Sequence, residues 1–104
     1  MTRVLVVTAV EIETRGLARQ LGLGRVAASA WPHFRAGALE LLCAGPRAAH
    51  LDARAARSAP SLVISAGVCG ALAPDLAAGD LVVPEAVVGT GGVRHRTATL
   101  PRLP

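Results

Sequence analysis

Apolar residues gather in short β-branched runs along this chain, and between the runs the hydrophobic period lengthens. "RVLVVT" (3–8) shows no alternation of apolar and polar side chains, which predicts a strand buried on both faces. From Val10 the apolar positions recur at helical spacing instead. Val10, Thr14, Leu17, Ala18 and Leu21 share one face, and Gly22 and Gly24 supply stops. Between 25 and 37 the pattern is weak, and Trp31-Pro32 and Gly37 suggest short strands joined by turns. "ALELLC" (38–43) reads as another strand. Gly45-Pro46 then sets a proline in the first turn of an expected helix, which the alanines carry to about Ser58. "SLVISAG" (61–67) and "DLVVPEAVV" (80–88) read as a third and a fourth buried strand. After Gly92 the period is lost, and 93–104, rich in Arg and Pro, is expected to be irregular.

This order of elements predicts an α/β fold: a mainly parallel, twisted central sheet flanked by at least two helices. At 104 residues the chain makes one domain at most, expected over 1–92. Val4, Val6, Leu17, Leu41, Val63, Ile64 and Val82 are expected in its core. An apolar content of 52% with only 2% aromatic residues means a core of Val, Leu, Ile and Ala, which suits helices packed closely on a sheet.

Charge narrows the partners. All 11 basic side chains are arginine and the net charge is +4, which admits an anionic partner. Two aromatics leave little on which bases could stack, so nucleic acid is disfavoured. Cys43 and Cys69 lie among apolar or small residues and read as buried, reduced thiols of a cytoplasmic protein; no spacing of Cys and His suggests a metal. Glu11 ends the first apolar run too early for a signal peptide. The longest uncharged span, Ser58 to Pro74, falls short of the roughly 20 residues of a membrane helix and holds two prolines. No membrane partner is expected.

In open α/β sheets ligands bind beyond the carboxyl ends of the strands. Here "TAVEIE", "AGPR" and "AGVCGAL" would meet at that edge. Between the runs at 61–67 and 80–88 stand Gly67, Gly70 and Gly79, more flexible residues than a plain connector needs. They point to a close backbone approach, and so to a site. Glu11 has Arg15 four residues on and can pair with it. Glu13 has no such partner. At a strand's carboxyl edge it can serve as a general base, or stand as a solvated helix-start acid. Arg47, at an expected helix N-terminus, can hold an anion. It also belongs, with His50, Arg54 and Arg57, to what reads as an ordinary solvated face. His33, His50 and His95 are scattered and read as structural or exposed. Neither GxxxxGK nor GxGxxG after the first strand is present, so P-loop and Rossmann readings fail.

"VLVVTAVEIETRGLARQL", "LLCAGPRAA" and "PSLVISAGVCGALAPDLAAGDLVVPEAVV" resemble the N-terminal half of the nucleoside phosphorylase and nucleosidase superfamily. The methylthioadenosine/S-adenosylhomocysteine nucleosidase branch and a hopanoid-associated phosphorylase-like member are both similar. The resemblance covers most of 3–88, and its most specific part is strand, G-x-x-G-[AG]-L, Pro, then G-D-[LIV]-V-V. It implies purine nucleoside N-glycosidic cleavage, with no cofactor, a nucleoside substrate, phosphate as an open co-substrate, and a homo-oligomer in the full-length form. On the resemblance Glu13 activates the attacking water, and Ala9, Gly67, Val68, Cys69 and Gly70 line the nucleoside. Val68 stands where nucleosidases often carry Ser. The arginine that many phosphorylases carry before the loop is absent, which favours hydrolysis. The family's ribose-binding Met-Glu and purine-protonating Asp have no counterpart in this sequence, so the chain is expected to be inactive, as an incomplete portion, a truncated reading or a degenerate member. The reading from another class is a non-catalytic α/β module that binds an anion or nucleic acid through the 47/50/54/57 face.

Overall fold

A computed structural model describes residues 2–98, and the chain divides into two compact units, Met1–Cys69 and Gly70–Pro104. The first unit holds five strands: β1 (Val4–Thr8), β2 (Gly24–Arg25), β3 (His33–Ala36), β4 (Leu39–Cys43) and β5 (Leu62–Ser65). They form one sheet in the order β2-β3-β4-β1-β5. β1 runs parallel to both β4 and β5, whereas β3 is antiparallel to both β4 and β2. The sheet is therefore mixed, with its parallel part at β4-β1-β5. The reason is local: Gly37, at φ +56, lets the chain turn straight from β3 into β4 as a hairpin, and no crossover intervenes.

The two sheet faces follow from register. Leu5 and Val7 of β1 lie opposite Glu40 and Leu42 of β4, and Val6 lies opposite Leu41. One cluster, Val6, Ala18, Phe34 and Leu41, packs beneath helix α1 (Glu11–Leu21), with Leu17 and Ile64 at its margin. The other, Leu5, Val7, Leu42 and Ala44, packs against Trp31, Leu51 and Ala55. α1 runs as its apolar period predicts. It ends at Gly22, whose φ of +66 closes the helix in the left-handed conformation.

Several expectations are corrected. The helix expected from Gly45 to about Ser58 is instead a 3-10 turn, Pro46–Ala48, followed by a single α turn, α2 (Leu51–Arg54). Gly45, Arg47 and Ala48 all have positive φ, which no continuous right-handed helix allows. So α1 is the one long flanking helix among the described residues. Val63 shares a face with Leu5 but is 53% exposed, because it stands on edge strand β5 beyond the reach of the short α2. Cys43 is buried as expected, whereas Cys69 is exposed in the loop after β5.

The second unit is built on a hairpin of β6 (Ala86–Val88) and β7 (Arg94–Arg96). The strand expected over 80–88 is thus confined to its last three residues and joins a separate two-stranded sheet. Pro84 lacks the N–H that a ladder needs, which limits the strand on its amino side. Val82, expected in the core, is 52% exposed. Part of the tail expected to be irregular is strand β7. Its partner β6 supplies the order that Arg94-His95-Arg96 lacks by periodicity, and Thr97 closes the pair by donating its N–H to the Glu85 carbonyl at 3.0 Å. Residues 99–104 of that tail lie outside the described residues. No helix among the described residues is long and apolar enough to cross a membrane.

Candidate functional site

The carboxyl ends of β1, β4 and β5 lie side by side, because these three strands are the parallel part of the sheet. β1 continues past Thr8 into Ala9 and Val10, and α1 begins at once. Two buried hydroxyls fix this junction. Thr8 Oγ1 and Thr14 Oγ1 are 2.5 Å apart, and Thr14 Oγ1 also donates to the Val10 carbonyl at 3.0 Å. The first turn of the helix is therefore tied to the end of the strand. Thr14 was legible only as a member of the apolar helix face. Its role as a tie was not.

Glu13, third residue of α1, projects back over its own helix start. Its Oε1 accepts from the N–H groups of Ala9 at 3.2 Å and Val10 at 3.3 Å. These are donors that a helix start leaves without partners, and the position favours a negative charge. Val10 has no side-chain acceptor, so the reciprocal half of a capping box is not made. Oε2 accepts from the N–H of Val68, 55 residues along the chain, at 2.9 Å. One carboxylate thus joins the β1–α1 junction to the loop after β5. It is half-buried and accepts from three main-chain donors, two at its own helix start and one from the loop.

The loop is shaped around that carboxylate. A Cβ on Gly67 would stand 2.7 Å from Glu13 Oε2, so glycine is what admits the acid. Gly79 belongs to the second unit, where its φ of +93 is one that glycine adopts without strain. Gly70 differs, since a Cβ there meets nothing within 4 Å. Val68 is 87% exposed, and Cys69 and Gly70 are exposed as well. Ala9 is exposed beside Glu13, and its carbonyl lies 3.7 Å from Cys43 Sγ on neighbouring β4. The structure therefore brings together Ala9, Glu13, Gly67 and Val68 by direct geometry. For Cys69 and Gly70 it shows exposure only.

The remaining charged candidates fall elsewhere. Glu11 pairs with Arg15 at 2.6 Å as its spacing suggests, in an exposed pair. Arg54 is not part of a solvated stripe: its Nη1 donates to the Cys43 carbonyl at 2.8 Å, and its guanidinium lies 5.5 Å from the Trp31 ring centre. The periodicity of the sequence missed a part-buried polar cluster centred on Glu40 of β4. His33 Nε2 and Arg35 Nη2 both meet Glu40 Oε2, at 2.5 and 3.0 Å, while Ser58 Oγ donates to Glu40 Oε1 at 2.7 Å. Burial raises the Glu40 pKa. The hydrogen bonds from Ser58, His33 and Arg35, with the charge of Arg35, outweigh that and hold the carboxyl below the ordinary 4.5.

A family model described as the phosphorylase superfamily matches residues 7–102, nearly the whole chain. No curated protein and no solved structure shows significant similarity to it.

Proposed function

This chain belongs to the phosphorylase superfamily, and from that premise we propose that it carries part of the site for cleaving the N-glycosidic bond of a purine nucleoside. The observation behind this reading is the Glu13 carboxylate, held at the carboxyl edge of the parallel strands by three main-chain N–H groups. Each carboxylate oxygen has two lone pairs. Oε1 uses both of its lone pairs on the helix start, while Oε2 has one committed to Val68 and one left. That free lone pair is where a water would be oriented.

The chemistry follows. Glu13 draws a proton from water as the water oxygen bonds to the anomeric carbon, and the C–N electron pair leaves with the purine. The sugar passes through an oxocarbenium-like state, and the departing purine nitrogen must gain a proton. Ala9, Gly67, Val68, Cys69 and Gly70 are the proposed nucleoside contacts. We favour hydrolysis over phosphorolysis because Leu62-Val63-Ile64-Ser65, leading into the loop, offers no guanidinium for phosphate. The cytoplasm and a homo-oligomeric full-length form belong to the same proposal.

The test is release of free base from methylthioadenosine, with and without added phosphate. Release by the full gene product, lost on Glu13→Ala, is the expected result. Isolated residues 1–104 should be silent, since the ribose-holding and purine-protonating groups implied by the resemblance have no counterpart in them. A full gene product that neither binds nor cleaves a nucleoside would overturn the reading.

A further inference from the structure

At the opposite end of the sheet, by the amino ends of β1 and β4, a cavity of about 190 Å³ is lined by Arg3, Arg35, Arg57, Glu40 and Ser58. We propose that it binds a small phosphoryl dianion, at a site separate from Glu13. The size is selective: drug-sized ligand pockets run to roughly 300–1,000 Å³, and this one is smaller. The charge is selective too. Three arginines and one carboxylate line it, a local balance of +2.

That carboxylate is already engaged. Glu40 Oε1 accepts from Ser58, and Oε2 meets both His33 and Arg35. It therefore acts as a support that holds Arg35 in place. The Arg3 and Arg57 guanidiniums form no ion pair among the described residues. Their main-chain anchors are fixed nonetheless. The Arg3 carbonyl accepts from Ser61 at 2.8 Å and Leu62 at 3.2 Å, while Ser58, next to Arg57, bonds both Glu40 and the Ala55 carbonyl. Two arginines without an ion pair and one partly engaged thus line a small cavity, a donor set suited to the oxygens of a phosphoryl group. Guanidinium meets such oxygens in pairs of parallel bonds.

The test is calorimetric titration of the 104-residue chain with inorganic phosphate and, separately, with ribose 5-phosphate. Saturable one-to-one binding is expected, weakened about tenfold or more by Arg57→Gln through loss of charge-assisted hydrogen bonds. Arg19→Gln, which removes the same charge from the exposed face of α1, should leave binding unchanged. Circular dichroism checks each fold, and Arg3→Gln replaces Arg57→Gln if the latter does not fold. Tighter binding of the ester or of the free ion says which source the phosphoryl group comes from, and either supports the site. No binding at millimolar ligand would overturn it. So would equal weakening by Arg19→Gln, or binding seen only with a single-stranded oligonucleotide, since both mean diffuse attraction.

Discussion

A methyl group on Gly67 would stand 2.7 Å from Glu13 Oε2, inside the contact distance of any real Cβ. The missing side chain of one residue thus makes room for the carboxylate of another, 54 positions away, and the Val68 N–H completes the contact at 2.9 Å. Gly67→Ala should push the carboxylate aside and break that bond. Because Glu13 can yield at its flexible end, the loss of stability should be modest, about 1 kcal/mol. Gly70→Ala meets open space and should change stability little. Urea denaturation of the two variants side by side checks the contrast.

Glu13→Gln keeps the length of the side chain but turns one acceptor oxygen into a donor. The amide can then satisfy either the helix-start N–H groups or Val68, never all three. The Val68 amide, or its counterparts at Ala9 and Val10, should exchange hydrogen faster than in the parent chain. Hydrogen exchange resolved by residue measures this directly, and unchanged protection at all three amides would contradict the bridging role of Glu13.

Glu40 makes the stability of the first unit depend on acid. Its carboxyl is held below 4.5 in the folded chain, so at acidic pH the unfolded chain binds the proton first. The stabilisation is therefore present above that value and is lost as pH falls through the lower folded one. Unfolding followed from about pH 6 down to about pH 3 should show a steeper decline for the parent than for Glu40→Gln. Equal slopes would mean that the Ser58, His33 and Arg35 contacts do not favour the charged form.

Leu41 is wholly buried in the α1-side cluster, whereas Val63 is more than half exposed on edge strand β5. Leu41→Ala should cost about 2–5 kcal/mol, enough to unfold a small unit of marginal stability. Val63→Ala should stay within about 1 kcal/mol, since little of its side chain leaves water on folding. Thermal unfolding of both variants ranks them.

β1, β4 and β5 were legible in the sequence because short apolar runs bounded by turn residues specify strands, β-branched in β1 and β5 and leucine-rich in β4. α1 was legible because its period and its closing glycine agree. The carboxylate of Glu13 could be singled out as lacking a partner along its own helix. What Glu13 holds could not be read, because the Val68 N–H reaches it only after β5 has paired beside β1. The same limit explains the errors. Alanine content predicts a helix over 46–58, but the left-handed turns at Arg47 and Ala48 and the anchoring of Arg54 to Cys43 and Trp31 leave only a turn. A run such as 80–88 looks buried by composition, yet burial belongs to a position in the assembled sheet, and β6 finds its partner in β7 instead. Glu40 shows the difference most plainly. Along the chain it is a charge inside a strand, a place of high desolvation cost. Only the folded unit brings His33 and Arg35 of β3 and Ser58, 18 residues along the chain, to its two oxygens, and hydrogen bonds between segments leave no periodic trace in a sequence.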